Sequence, residues 1–134
     1  MSAAEKSAPS EPLILVIDDD PAIRIAIGVK LRGSGFRVAE AVDGLDGLEV
    51  FARERPQLVI VDVGMPRLDG YSFTERLQST PEGRGVPVVI LTAQDFALPE
   101  EVQGRIRVAS FLMKPFSPRE LVKSLRGLLA EAAS

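Results

Sequence analysis

The sequence QLVIVDVGMP, residues 57–66, contains an apolar run that stops at an acid, and it is the strongest indicator of the fold. Residues 58–61 are apolar without polar alternation, which is typical of a strand covered on both faces in a parallel sheet. Asp62 then lies at the carboxyl end of that strand. Ligands bind at this edge of open α/β sheets because the loops diverge there. Asp62 is therefore a candidate nucleophile or metal ligand, although an Asp here can also simply cap the next loop.

Similar apolar runs occur on both sides of this strand. The other predicted strands are 13–17, 36–39, 86–91 and 109–113. Helix signals fall between them. Asp20 is a predicted cap for a helix near 21–34, and Ser117 and Glu120 form a capping box at the start of the last helix. Alternating strands and helices with short connections predict an α/β fold, with a five-stranded parallel sheet and helices on both faces.

Length and composition restrict the possible functions. The 134 residues fit one domain. We expect a disordered N-terminal tail over 1–12, the domain over 13–130 and a frayed C-terminus over 131–134. The absence of Cys and His excludes disulfide frameworks, thiol nucleophiles and imidazole chemistry. A net charge of -3 disfavours nucleic acid or an anionic membrane as the main partner. No apolar stretch resembles a signal peptide or a membrane span, so a cytoplasmic location is expected.

Polar residues follow four of the five predicted strands, at the same edge of the sheet. They are Asp18 and Asp19, Asp62, Thr92 and Lys114. Clustered carboxylates repel one another unless they are protonated or bind a divalent cation, and oxygen ligands favour Mg²⁺. A lysine and a hydroxyl beside the metal suit a phosphoryl group, whose transfer depends on positioning and charge neutralisation. Attack by Asp62 would give a labile acyl phosphate, which suits transient signalling.

Four short motifs, in order, carry a family resemblance. They are Asp18-Asp19, residues 61–66 with Asp69-Gly70, residues 91–93, and Lys114-Pro115-Phe116. Over about residues 13–130 the chain resembles the receiver domain of two-component response regulators. The resemblance implies the flavodoxin-like strand order 2-1-3-4-5, which places the first and third strands side by side.

The resemblance also implies roles for individual residues. A partner histidine kinase or phosphotransfer protein would phosphorylate Asp62. Asp19, Asp62 and the backbone oxygen of Gly64 would hold Mg²⁺ directly, and Asp18 would act through water. Lys114 would contact the phosphoryl group and precede a cis Pro115.

A switch and a partner surface follow from the same resemblance. Thr92 would hydrogen-bond the phosphoryl oxygens, and its movement would let Phe111 rotate inward. This change would reach an unknown output protein through the surface of the fourth helix, fifth strand and last helix. Gly64, Ala93 and Gln94 would control access to the phosphoryl group. The domain would act as a switch with weak self-dephosphorylation rather than as a dedicated enzyme.

The chain departs from the family pattern at two places. Gly64 replaces the larger side chain that often screens the phosphoryl group, so we expect a short-lived phosphorylated state. Relatives often carry Ala-Gly-Ala before the fifth strand, with a left-handed Gly, where this chain has residues 106–108, Ile-Arg-Val. Pro99 and Gly104 instead predict a short helix that starts at 99 or 100, or a distorted segment. Because the resemblance makes this surface the output face, we expect an unusual output partner or mode of dimerisation.

Other interpretations remain open at this point. Thr92 can be a strand-end residue that bonds backbone, Lys114 a solvated lysine, and Phe111 plain core. A degenerate receiver would act as a docking module without phosphorylation. A small Mg²⁺-dependent phosphatase with an Asp nucleophile would need a second Asp where Gly64 stands. A flavodoxin-like electron carrier would need aromatic cover for FMN, and Tyr71 is the only Tyr or Trp.

Overall fold

The computed structural model describes residues 11–65, 67–93, 100 and 104–133. Its described part contains five strands and four helices. The strands are β1 (Leu13–Ile17), β2 (Arg37–Ala41), β3 (Leu58–Asp62), β4 (Val88–Thr92) and β5 (Ser110–Met113). The helices are α1 (Pro21–Gly33), α2 (Gly44–Glu54), α3 (Gly70–Gln78) and α4 (Pro118–Ala133). All strand pairs are parallel, in the order β2-β1-β3-β4-β5, which confirms the predicted α/β fold and strand order.

Several predicted boundaries differ from those observed. β2 begins one residue and ends two residues later than predicted, and β4 is displaced by two residues at its start. Most of the helix predicted to start at 99 or 100, and most of the predicted tail, fall outside the described residues. Within the described residues, no helix is both long and apolar enough to cross a membrane.

The sheet separates two layers of buried apolar side chains. Successive strand residues point to opposite faces. The layer against α1 and α4 includes Ile14, Val16, Leu31, Ile60, Leu91 and Leu125. The layer against α2 and α3 includes Leu15, Ile17, Phe51, Val61, Phe73 and Ile90. These side chains are almost completely buried. Each such burial contributes about 1.5–3 kcal/mol, so the sheet is a rigid support for the loops at its edges.

Each helix begins at the carboxyl edge of the sheet with a capping side chain. Asp20 accepts from the Ala22 amide at 2.9 Å, as predicted, and starts α1. Asp43 and Asp69 cap α2 and α3 in the same way. Ser117 Oγ accepts from the Glu120 amide at 3.3 Å, which confirms its part in the predicted capping box. The caps fix where each loop ends and its helix begins.

At the amino edge of the sheet, α3 is joined to the segment that leads into β5. Gln78 Nε2 donates to the Arg107 carbonyl at 2.7 Å, and Gln78 Oε1 accepts from the Arg107 amide at 2.9 Å. Arg105 forms an ion pair with Glu75 on the same helix. The left-handed position in this segment is Gly104, with φ of 82°, and Arg107 keeps a negative φ. The backbone problem expected for an arginine at 107 therefore does not arise.

Candidate functional site

The polar residues predicted at the strand ends lie together at the carboxyl edge of the sheet. Asp18 follows β1, Asp62 ends β3 beside it, and Thr92 ends β4. The Lys114 amide donates to the Thr92 carbonyl at 2.7 Å, which brings the residue after β5 to the same edge. Asp18, Asp62 and Thr92 are buried, and Asp19 is exposed. The site is a buried acidic floor with one acid at its rim.

Lys114 binds two of the acids. Its Nζ lies 2.7 Å from Asp62 Oδ1 and 3.5 Å from Asp18 Oδ2. Burial opposes its charge, but the hydrogen bond to Asp62 and the charges of both acids outweigh burial and raise the pKa of Lys114. Lys114 is therefore charged at neutral pH and not a solvated lysine. The peptide bond between Lys114 and Pro115 is cis, as the resemblance implied.

Asp18 is held in a setting that opposes its ionisation. Burial raises its pKa, and the neighbouring charge of Asp62 raises it further, against the lowering effects of the Asp20 amide and Lys114. Asp18 Oδ1 accepts from the Asp20 amide at 2.9 Å. A desolvated carboxylate beside a second one gains from a cation, so this electrostatic setting favours metal binding.

Three carboxylates are placed to share one ion. Asp18, Asp19 and Asp62 each offer an oxygen, and these oxygens all lie within 4.8 Å of one another. Only oxygen ligands are present, which is the donor set that Mg²⁺ prefers. The residues therefore fit the predicted cation.

Gly64 lies beside the Asp62 carboxylate and has no side chain to cover it. The Gly64 amide donates to Asp62 Oδ2 at 3.2 Å, so both carboxylate oxygens are oriented, one by Lys114 and one by the backbone. Among the described residues other than its two chain neighbours, a Cβ at position 64 would come within 4 Å of Asp62 Oδ2 alone, at 4.0 Å. The glycine therefore leaves space where a side chain would lie over the carboxylate.

The two residues of the predicted switch lie on one face of the sheet. Thr92 continues the alternation of Val88 and Ile90, which belong to the layer against α2 and α3. Phe111 is partly buried against that same layer and pairs with Ile90 in register. Ala93 is exposed, and Gln94 lies outside the described residues. Thr92 and Phe111 therefore face the same side of the sheet, with Thr92 at the carboxyl end of β4.

The family model for the response regulator receiver domain matches residues 14–126. The chain belongs to this family. At the level of sequence, the receiver domain is 42% identical over 117 residues to the response regulator MprA of Mycobacterium leprae (strain TN). That alignment covers 87% of this chain and 50% of the relative, so the chain spans half the length of that curated relative.

Solved structures agree with this assignment. The receiver domain of the Francisella response regulator 1452 matches with a TM-score of 0.80 and 30% identity, covering 90% of this chain and 98% of that one. The receiver domain of the sensor histidine kinase PA1611 from Pseudomonas aeruginosa PAO1 matches with a TM-score of 0.79 and 31% identity, over 90% and 98% of the two chains. That structure has a magnesium ion coordinated in its active-site cleft.

One residue that supports this receiver site was not singled out from the sequence. Gly70, the first residue of α3, donates its amide to the Val63 carbonyl at 3.2 Å. A Cβ there would lie 2.7 Å from the Asp62 carbonyl oxygen, so only glycine allows this approach. The Asp69-Gly70 pair was part of the family resemblance, but its contact with Asp62 required the fold.

Proposed function

We propose that this receiver domain is a phosphorylation-dependent signalling switch that accepts a phosphoryl group on Asp62. The donor is a partner histidine kinase or phosphotransfer protein. The observation that carries the proposal is the placement of the Asp62 carboxylate, with Lys114 Nζ at 2.7 Å from one oxygen and the Gly64 amide at 3.2 Å from the other. This carboxylate is oriented at a binding edge beside two further acids.

The chemistry follows from these contacts. A carboxylate oxygen of Asp62 attacks phosphorus, the bond from phosphorus to the donor breaks, and the donor leaves with the bonding electrons. Lys114 offsets negative charge on the phosphoryl oxygens, and its raised pKa keeps it charged for this task. Water later hydrolyses the acyl phosphate and restores the carboxylate.

Asp18, Asp19, Asp62 and the backbone oxygen of Gly64 are the proposed Mg²⁺ site, with Asp18 acting through water. The support is the spacing of the three acids and the raised pKa of Asp18, together with the magnesium ion in the similar PA1611 domain. The ion supplies positive charge that neutralises the phosphoryl oxygens and the acids.

Thr92 and Phe111 are the proposed relay to a protein partner. Thr92 would hydrogen-bond the phosphoryl oxygens, and Phe111 would respond by rotating inward. Their shared face of the sheet supports this relay, and so does the partial exposure of Phe111, which leaves room for rotation. The change would alter the surface formed by the segment before β5, β5 itself and α4, where an output protein would bind.

The domain would thus act in the cytoplasm as a switch and not as a dedicated enzyme. The family assignment gives no support to the alternatives of an Asp-nucleophile phosphatase or a flavodoxin-like electron carrier. A degenerate receiver that docks without phosphorylation is tested by the experiment below.

Intact mass after incubation with acetyl phosphate tests the proposal directly. We expect one phosphoryl group on the wild type with Mg²⁺, and none when Mg²⁺ is chelated. Asp62→Asn should remove the modification, because the amide is a poor nucleophile.

Asp20→Asn is the matched control. It removes one negative charge beside the site, but asparagine caps a helix as well as aspartate does. This variant should still be phosphorylated. An unmodified wild type, or a phosphorylated Asp62→Asn variant, would refute the proposed acceptor.

A further inference from the structure

Arg24, on the first turns of α1, makes contacts that reach from helix to sheet. Its Nη1 donates to the backbone carbonyl of Asp18 at 2.8 Å, and its Nε donates to Glu40 Oε1 on β2 at 3.0 Å. The Arg24 side chain is only 15% exposed. One planar guanidinium therefore joins the end of β1 to the neighbouring strand through two hydrogen bonds of fixed geometry.

The orientation of the Asp18 backbone carbonyl affects where the neighbouring acid of the site lies. This carbonyl belongs to the peptide that links Asp18 to Asp19, two of the three acids whose oxygens lie within 4.8 Å of one another. The Asp18 side chain is fixed separately, because its Oδ1 accepts from the Asp20 amide at 2.9 Å. A rotation of the peptide between Asp18 and Asp19 would move the Asp19 carboxylate at the rim of the site.

We infer that Arg24 is a positioning residue for the cation site, and that it acts by holding the peptide between Asp18 and Asp19 against β2. Arg24 has no described contact with the carboxylates of Asp18, Asp19 or Asp62; its contact there is with the Asp18 backbone carbonyl. This inference rests on the proposed function, because it assigns a role toward the cation that the proposed site binds. The ligand is a divalent cation, Mg²⁺.

A positioning role and a purely electrostatic role of Arg24 predict opposite changes in Mg²⁺ affinity when Arg24 is removed. Arg24 carries a positive charge near a cation site, so its removal should tighten Mg²⁺ binding if charge alone mattered. If Arg24 positions the acids, its removal should weaken Mg²⁺ binding. Residues that orient metal ligands typically contribute about 10–100-fold to metal affinity. Since Arg24 acts on a backbone carbonyl, we expect about tenfold, the lower end of that range.

The test is calorimetric titration of the metal-free full chain with MgCl₂. Arg24→Gln removes the charge, and its shorter side chain with a single amide nitrogen cannot reach the Asp18 carbonyl and Glu40 as the separate Nη1 and Nε atoms of Arg24 do. Arg24→Lys restores the charge and one hydrogen bond, so it should recover part of the affinity.

Arg32→Gln is the matched control. Arg32 is on the same helix and also pairs with Glu40, but it is 53% exposed and contacts the other carboxylate oxygen, Oε2, at 3.5 Å. Removing Arg32 deletes the same charge without a described contact to Asp18. Its Mg²⁺ affinity should equal that of the wild type or be slightly higher.

A second measurement separates positioning from general destabilisation. The Asp20 amide donates to Asp18 Oδ1, so its nitrogen and proton shifts report the local backbone. These shifts should change in metal-free Arg24→Gln and stay constant in Arg32→Gln. Urea midpoints of both variants show whether a change in affinity accompanies a change in global stability.

Weaker Mg²⁺ binding in Arg24→Gln, with partial recovery in Arg24→Lys, supports the inference. Unchanged or tighter binding in Arg24→Gln overturns it, and so does equal weakening in Arg32→Gln. A wild type that binds Mg²⁺ but accepts no phosphoryl group refutes the proposed function alone. A wild type that binds no Mg²⁺ overturns both.

Discussion

The contact between Gly70 and the Asp62 peptide predicts a large effect from adding one methyl group. In Gly70→Ala, the new Cβ would lie 2.7 Å from the Asp62 carbonyl oxygen and 3.0 Å from the Val63 Cα. Carbon and oxygen need about 3.3 Å. Because both obstructing atoms are backbone, α3 or the Asp62 peptide must move by about 0.6 Å.

The expected cost follows from this displacement. Overpacking of this kind costs about 1–3 kcal/mol, and alanine in a helix returns up to about 1 kcal/mol relative to glycine. Subtracting the gain from the cost leaves a fall in the free energy of unfolding of about 0–3 kcal/mol, and the middle of that range is about 1–2 kcal/mol. With a urea dependence of about 2 kcal/mol per molar, the unfolding midpoint falls by about 0.5–1 M.

Phosphorylation should slow as well, because the displaced peptide carries the acceptor. A misplacement of about 1 Å can cost about 100-fold in rate, so a smaller shift at Asp62 should reduce the initial rate of labelling by about tenfold. The rate is measured by intact mass with acetyl phosphate and Mg²⁺. Unfolding is followed by circular dichroism.

Gly33→Ala is the control for this substitution. A Cβ at Gly33, the last residue of α1, meets no heavy atom within 4 Å in the part of the structure that is described, apart from its chain neighbours and its own helix backbone. Its midpoint should equal or exceed that of the wild type, with an unchanged labelling rate. A Gly70→Ala variant with the wild-type midpoint and labelling rate would show that the contact is not as tight as described.

Three further predictions concern charge and access in the site. Asp18→Asn should raise the thermal midpoint of the metal-free domain at pH 7. Burial and Asp62 raise the pKa of Asp18, so its ionised form costs stability at that pH. Thermal melts in EDTA measure the midpoint, and a lower midpoint in the variant would contradict this prediction. The pKa of Lys114 is raised above 10.5, so the stability that its charge contributes is complete below that pH and is lost as the pH rises through the folded-state pKa. Urea midpoints between pH 9 and 12 should therefore fall more steeply for the wild type than for Lys114→Met. Parallel pH profiles of the two proteins would contradict this prediction. Gly64→Met should lengthen the lifetime of the phosphorylated state, because a side chain there would cover Asp62 Oδ2 and hinder the approach of water. If the phosphorylated mass decays at the wild-type rate, access of water past residue 64 does not set the lifetime.

The sequence predicted the bounds of the central strands β1 and β3 better than those of the edge strand β2. β1 and β3 have the bounds expected from their continuous apolar runs, because both are covered on two faces. β2 was placed too early, since Arg37 and Glu40 interrupt its apolar pattern in a partly exposed edge strand. The strand order came from the family resemblance, as periodicity does not say which strands are neighbours.

The acids and the lysine were predictable because each directly follows a strand, so one local rule placed them at a single edge. The supporting contacts were not. Arg24 meets Glu40 across 16 residues of sequence, and Gln78 meets Arg107 across 29. Nothing local distinguishes these side chains from the other polar residues on helix surfaces. Their partners become visible only when the helices are docked on the sheet.

Two hydrogen bonds between Gln78 and Arg107 hold the C-terminal end of α3 to the segment before β5. Gln78 offers Arg107 the donor and acceptor that a neighbouring strand would offer, so this end cannot slide without losing both bonds. The helix runs from Gly70 at the carboxyl edge of the sheet to Gln78, nine residues, and is about 13 Å long. A tilt of α3 by about 5° about Gln78 would displace Gly70 by roughly 1 Å. Because the Gly70 amide donates to the Val63 carbonyl and Gly70 packs against the Asp62 peptide, such a tilt would move the Asp62 peptide or break that hydrogen bond.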